Sequence, residues 1–270
     1  GISAFAEFKS DTITALPDLD TSNLTDMSYM FAYATTFNQP LDNFDTSNVT
    51  DMSYMFLSAE AFNQSLDNFD TSNVTDMMGM FWGALAFNQP LNFDTSNVTD
   101  MTAMFAEAQS FNQPLNFDTS NVTDMSYMFA ALTEESVSSF NSPINFSDTS
   151  NVTDMNAMFY GAEAFNQPLN FDTSNVTDMS FMFVFAENFN QPLNFNTSKV
   201  TNMIAMFMFA EALNKPLNFS DTSNVTDVML MFCWAEAFNQ DISNWCVKNF
   251  DGKPLAFDYE SAFRGQLAIQ

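Results

Sequence analysis

Three observations predict an α/β repeat solenoid, a right-handed stack of about nine coils with a short parallel strand ladder on one face and short helices on another. The phrase Phe-Asp-Thr-Ser-Asn-Val-Thr-Asp-Met recurs, followed by a Met-Phe pair and then Phe-Asn-Gln-Pro-Leu. The units start at Asp20, Asp45, Asp70, Asp94, Asp118, Asp148, Asp172, Asn196 and Asp221, in steps of 25, 25, 24, 24, 30, 24, 24 and 25 residues. A fixed period in this range marks coils that bury their apolar faces only by stacking on one another. The apolar positions keep phase throughout, so each becomes a ladder.

Residues 1–19 are expected to form an N-terminal cap or the remnant of a longer chain, residues 20–245 the solenoid, and residues 246–270 a C-terminal cap. Phe250, Leu255, Phe257 and Phe263 are expected to cover the last open coil, which would otherwise expose unpaired backbone. Within the coil from Asp94 to Phe117, Met101, Met104, Phe105 and Ala108 have helical spacing and predict about two helical turns. Leu115 and Phe117 alternate with polar neighbours and predict a short strand. Val98 and its equivalents, the Phe111 column, the Leu115 column and the Met-Phe pairs are the expected core. The column containing Asn88 and Asn112 is expected to bond its own neighbours and the corner backbone.

Acidic residues number 33 against six basic ones, Lys9, Lys199, Lys215, Lys248, Lys253 and Arg264, for a net charge of −27. Such a surface repels phosphate backbones and anionic headgroups, so neither nucleic acid nor direct membrane insertion is expected. Basic protein surfaces and cations suit it. A hydrophobic fraction of 46% with 33 Phe argues against disorder. The chain begins at Gly1 with no leader visible, and the expectation is a mature or trimmed form. There is no His, hence no ordinary Ser-His-Asp triad, and enzyme activity is not expected.

The phrases Asp45–Phe56 and Asp118–Phe129, with the intervening Phe-Asn-Gln-Pro-Leu, resemble the BspA-like leucine-rich repeat family of surface proteins. The resemblance covers about residues 20–245. It implies a leucine-rich-repeat-type solenoid and an extracellular or surface-exposed protein of adhesion or binding, with no shared catalytic residues. The eighth unit departs from the pattern at Asn196, Lys199 and Asn202, and the fifth carries six extra residues.

Two aspartate ladders carry the sharpest chemical signal. One runs through Asp45, Asp70, Asp94, Asp118, Asp148 and Asp172, the other through Asp51, Asp76, Asp100, Asp124, Asp154 and Asp178. Like charges on coils roughly 5 Å apart repel by roughly 0.8 kcal/mol in water. One reading offsets this with Ca²⁺ held between coils by carboxylate, hydroxyl and backbone oxygens. The other makes each Asp a turn starter or, at Asp51, the cap of a helix. The loss of both aspartates in the unit that gains Lys199 suggests a shared role and a local charge substitute. No cofactor is otherwise required.

Further candidates are a stripe of variable aromatics, Tyr33, Trp82, Tyr160, Phe185, Phe209 and Trp234, and the insertion around Leu132–Ser139 with Glu134 and Glu135. Large aromatics that vary on a constant frame predict either a contact surface or packing between coils. Asn-Val-Thr and Asn-Leu-Thr are glycosylation acceptors, most plausible at Asn23, Asn48 and Asn224, since a glycan on every coil is sterically excluded. Cys233 and Cys246 are a candidate disulfide. Paired carboxylates could in principle form a glycosidase site, but identical ladders lack the asymmetry that chemistry needs. Met-x-x-Met pairs such as Met101 and Met104 are read as core rather than soft-metal ligands.

These features predict a non-enzymatic surface or extracellular module for adhesion or structure, assembling laterally with divalent cations on its Asp ladders. A second expectation is recognition of a protein or glycan through the aromatic stripe or the insertion. A third is ice binding on a flat threonine face such as Thr46, Thr71, Thr95 and Thr119, against which the flanking Asp ladders count.

Overall fold

The computed structural model describes residues 19–133, 135–246, 248–250 and 252–263. The expected N-terminal cap, apart from Leu19, lies outside these residues, as do Lys9, Glu134 and Arg264.

Every coil opens with a tight turn. In the second, the Val49 amide donates to the Thr46 carbonyl at 2.9 Å. The Asp45 carboxylate accepts from the amide and hydroxyl of Ser47, at 3.0 and 2.6 Å. This local side-chain bond is what makes Asp a turn starter. Buried Thr46 ties the turn to the coil above by donating to the Asp70 carbonyl at 3.0 Å. The coil below is held by the Asp45 amide, which donates to the Thr21 hydroxyl at 2.8 Å. Just beyond, the chain makes one-residue parallel bridges from Asp26 through Asp51, Asp76, Asp100, Asp124, Asp154, Asp178 and Asn202 to Asp227.

The Met-rich stretch is not helical. The amides of Met104, Ala106 and Ala108 donate three residues back, to Met101, Ala103 and Phe105. The alternate amides of Met101, Ala103, Phe105 and Glu107 donate to Asp124, Ser126, Met128 and Ala130 of the next coil, at 2.7–3.1 Å. An α-helix would send every amide four residues back along its own chain. Here left-handed residues, Ala103 at φ 53° and Glu107 at φ 58°, stand third in the Met101–Met104 and Phe105–Ala108 turns, as in type II turns. The expectation of short helices, with Asp51 as a helix cap, is therefore corrected: among the described residues there is no helix. Linked turns place Met101, Met104, Phe105 and Ala108 inward at the same spacing as a helix, so periodicity does not separate the two. Pairing with the neighbouring coil decides, because it satisfies the alternate amides that the turns leave free.

On the return path the expected strands shrink to single bridges, Leu115 with Ile144 and Leu193 with Leu217. The asparagine column supports this corner. Asn38 Oδ1 accepts from the Asn63 amide at 2.9 Å and the Gln64 side chain at 3.0 Å, and Asn63 serves Asn88 and Gln89 likewise.

Stacking fills the interior with identical side chains. Val49, Val74, Val98, Val122, Val152, Val176 and Val200 are fully buried, as are Met52, Met77, Met101, Met125, Met155, Met179 and Met203. Two phenylalanine columns interleave. Phe56 stacks on Phe62 of its own coil at 4.1 Å and on Phe81 of the next at 5.6 Å, while Phe62 meets Phe87 at 6.0 Å. Each such pair adds about 0.5–1.5 kcal/mol beyond the area it buries.

The C-terminal segment continues the pattern. Leu230, Phe232 and Trp234 donate to the carbonyls of Leu255, Phe257 and Tyr259, and Ala256 and Glu260 are left-handed. Phe257 and Phe263 are buried and Phe250 packs partly buried against the core. Leu255 does not cover the last coil, being 72% exposed; its carbonyl, not its side chain, meets the stack.

Glycine relieves the left-handed positions at Gly79, Gly83 and Gly161. A Cβ on Gly161 would lie 2.2 Å from the Ala131 carbonyl oxygen. Gly161→Ala should therefore cost about 2–4 kcal/mol, from left-handed strain plus overpacking. Ser58→Gly, at φ 52°, should be neutral or stabilise by about 0.5 kcal/mol, because relief of strain offsets the added chain entropy. Urea midpoints at constant slope check both.

Candidate recognition surface

The left-handed positions, two in every coil but the fifth, which has only Tyr127, form columns on one face, here called the turn face. The first holds Tyr29, Tyr54, Gly79, Ala103, Tyr127, Ala157, Phe181, Ala205 and Leu230. The second holds Tyr33, Ser58, Gly83, Glu107, Gly161, Phe185, Phe209 and Trp234. The expected aromatic stripe is not one register: Trp82 and Tyr160 sit one residue earlier, with Gly83 and Gly161 in the left-handed slot.

It divides into two patches. Near the N-terminus, Tyr29 stacks on Tyr54 at 4.8 Å and Tyr54 meets Trp82 at 6.4 Å, with Tyr33 57% exposed beside them. In the C-terminal half the rings form a continuous column. Tyr160 meets Phe185 edge-on at 5.9 Å, Phe185 stacks on Phe209 at 4.7 Å, Phe209 on Trp234 at 5.9 Å, and Trp234 meets Tyr259 edge-on at 5.8 Å. Packing between coils and a solvent-facing surface thus coexist here. Phe185 and Phe209 are half-buried and Trp234 is exposed.

The fifth-coil insertion folds back onto the same face. The Glu107 carboxylate accepts from the Leu132 amide and the Ser136 hydroxyl, and the Ser136 amide donates to the Thr133 carbonyl at 3.0 Å. Glu107 is absent from the sequence-derived candidates, yet it pins the insertion. The Ser139 amide returns the chain to the stack by donating to the Gln109 carbonyl at 3.0 Å. Between insertion and column lies a cleft of about 420 Å³, lined by Leu132, Thr133, Ser136, Tyr160, Glu163 and Phe185, with Ala131 and Gly161 at its floor. Two separate sequence candidates meet in it. Its size matches the lower range of small-molecule and side-chain pockets.

The aspartate ladders lie elsewhere, at the turn and bridge. In the first, the Ser47, Ser72 and Ser96 amides and hydroxyls bond Asp45, Asp70 and Asp94, and the Ser120, Ser150 and Ser174 amides bond Asp118, Asp148 and Asp172. These serine bonds hold the Asp45, Asp70, Asp118 and Asp148 carboxyls below the usual value. In the second ladder, Asp51, Asp124 and Asp178 accept from the amide and hydroxyl of Ser53, Ser126 and Ser180. Asp76, Asp100 and Asp154 face Met78, Thr102 and Asn156, and only amide bonds reach them. Burial, followed by the charges of neighbouring ladder members, pushes the Asp76 and Asp154 carboxyls up.

The eighth coil shows how the repulsion can be relieved. Asn202 Nδ2 donates to Asp178 Oδ2 at 3.0 Å, while Asn202 Oδ1 keeps the turn bond from the Ile204 amide at 3.1 Å. Lys199 replaces an asparagine of the sequon column and donates to Asn175 Oδ1 at 2.5 Å, rather than to an aspartate. Among the described residues no group of three or more acidic or cysteine side chains gathers as a metal cage. Both ladders act as turn caps, each carboxylate accepting from the residue two positions on.

The sequon asparagines are structural. Asn48 and Asn224 Nδ2 donate to the Ser22 and Ser198 carbonyls at 2.8 and 2.7 Å, so one of the two amide hydrogens on each is engaged between coils. Asn23 is exposed. Cys233 and Cys246 are not bonded; Cys233 is buried, which pushes its thiol pKa up. Thr46, Thr71, Thr95 and Thr119 are buried and donate to carbonyls of the next coil, so they form no flat ice-binding face. A second threonine column is exposed instead, Thr50, Thr75, Thr99, Thr123, Thr153, Thr177, Thr201 and Thr226, and its hydroxyls donate to the preceding coil. No helix among the described residues is long and apolar enough to cross a membrane.

This geometry defines a repeat protein whose coils carry one varied face on a constant frame. The chain belongs to the family described as Mycoplasma protein of unknown function, DUF285, which matches it in three tandem stretches, residues 2–93, 91–170 and 169–269. No curated protein and no solved structure matches the chain.

Asp76→Asn should stabilise the protein by about 0.5–1 kcal/mol at neutral pH, by removing a like charge from the bridge while keeping the Met78 turn bond. Because the folded carboxyl lies above its ordinary 3.8, its ionisation opposes folding. That cost is absent below the ordinary value and complete above the raised one. The advantage of Asn should fade as pH falls through that window, which melts from pH 3 to 7 would show. Melts in EDTA, Ca²⁺ and Mg²⁺ at matched ionic strength should give equal midpoints for the two cations, as screening of −27 charges requires.

Proposed function

We propose that the chain is a non-catalytic recognition module that binds a protein or glycan partner on its turn face. The observation that carries this reading is the meeting of the fifth-coil insertion with the Tyr160–Phe185 aromatics around one cleft. The constant columns are occupied in holding coils together, whereas the second left-handed column varies from Ser58 to Trp234. Variation on a rigid frame is how repeat proteins present binding surfaces. A surface or extracellular setting, and kinship with BspA-like leucine-rich repeats, are part of the proposal and rest on the resemblance of the Asp45–Phe56 type of phrase. Lateral assembly is a weaker reading, since its cation-bridged Asp ladders are engaged in their own turns.

Display of random peptides and an array of glycans on the full chain tests the reading. Selected ligands should lose at least tenfold in affinity on Phe185→Ala or Leu132→Ser, while Asp45→Asn leaves them within twofold. Ligands that ignore both cleft substitutions, or none selected at all, would overturn it.

A further inference from the structure

The aromatic column has a charged companion. One buried alanine separates three of its rings from a glutamate, in Phe185-Ala186-Glu187, Phe209-Ala210-Glu211 and Trp234-Ala235-Glu236, and Gly161-Ala162-Glu163 repeats the step one coil earlier. Backbone bonds hold the glutamates in register. The Asn188, Ala212 and Ala237 amides donate to the carbonyls of Glu163, Glu187 and Glu211, at 3.2, 3.0 and 3.1 Å. Glu187, Glu211 and Glu236 are exposed and line a shallow groove of about 520 Å³. Glu163 lines the adjoining cleft with Tyr160 and Phe185. Burial, then the charges of Glu187 and Glu236, push the Glu211 carboxyl up. Residues 157–165, 181–189, 205–213 and 230–238 contain no Lys or Arg to neutralise them.

We propose that this double column on coils six to nine, rings beside carboxylates, docks an extended arginine- or lysine-rich peptide segment of a partner protein. The proposal rests on the recognition reading of the turn face and names its ligand. Guanidinium and ammonium groups are drawn to aromatic faces, and their long apolar stems cover exposed rings. Arg also pairs with carboxylates through two parallel bonds. A net charge of −27 steers such a segment in from solution. From Glu163 to Glu236 is three coil steps, about 15 Å at roughly 4.8 Å each, which an extended peptide spans in about five residues at roughly 3.3 Å each.

The test is fluorescence anisotropy of the full chain with a labelled decapeptide alternating Arg and Ser, at 0.15 M salt. The triple substitution Glu187→Gln, Glu211→Gln and Glu236→Gln should weaken binding at least tenfold. The triple Asp45→Asn, Asp70→Asn and Asp94→Asn removes the same charge elsewhere and should weaken it less than twofold. Phe209→Ala should weaken binding with charge unchanged, and shortening the peptide should matter only below about six residues. A single cooperative melting transition well above the assay temperature shows that each variant is folded. Equal weakening by the two triples, or equal competition by spermine at matched charge, would mean screening and overturn the proposal. No binding of the arginine peptide, alongside Phe185-dependent ligands from the display experiment, overturns the cationic ligand and leaves the recognition reading standing.

Discussion

Alternate amides in each turn segment donate to the next coil, and the rest of the structure depends on that bond. Met52, Tyr54, Phe56 and Ser58 donate to Asp76, Met78, Met80 and Trp82, and the same set recurs up the stack. A coil taken alone would leave these groups unpaired, at a cost comparable to its apolar gain. Cooperativity is therefore built into the backbone: a coil is stable because it has neighbours. The 24- to 25-residue step is one coil, and the 30-residue step keeps the same donors aligned, from Met125 with Asp154 to Ala131 with Tyr160, by folding its extra residues out as the insertion.

Identical side chains in register multiply whatever an individual residue does. For Phe, Val and Met the multiplication is favourable, because shape-matched neighbours leave no gap in the core. For Asp it is not, and the two ladders handle it differently. The first is solvated and bonded by turn serines, which lowers its carboxyls; its stabilisation is present above the ordinary carboxylate value and lost as pH falls through the lowered one. The second lies half-buried at the bridge and its strained members titrate upward. Asn202 marks where the sequence relieves one such contact.

Because the interior and the turns are committed to holding coils together, variation is confined to positions whose side chains leave the stack. The second left-handed column, from Tyr33 to Trp234, is such a set of positions, whereas Ala103, Ala157 and Ala205 of the first are buried. Bulky residues there carry a backbone penalty that glycine would avoid, so Phe185, Phe209 and Trp234 are retained against a local cost. Their pairing with Glu187, Glu211 and Glu236 concentrates apolar and negative character on the half of the turn face that the insertion borders.

The period, the core columns, the aspartate turns and the two features that meet in the cleft were legible in the sequence, because identity of phase directly implies stacking. Three things were decided only by the tertiary structure. Helical spacing of Met101, Met104, Phe105 and Ala108 belongs to linked turns, since donors to a neighbouring coil are invisible in a periodicity. Thr46 and its equivalents are buried ties, not a surface, because a hydroxyl's partner lies a whole repeat away. The stripe from Tyr33 to Trp234 is split by register, as Gly83 and Gly161 take the left-handed slot and push Trp82 and Tyr160 one position back. In the first two cases the missing information is a contact 23 to 29 residues distant, and in the third a backbone conformation, neither of which composition and spacing along the chain encode.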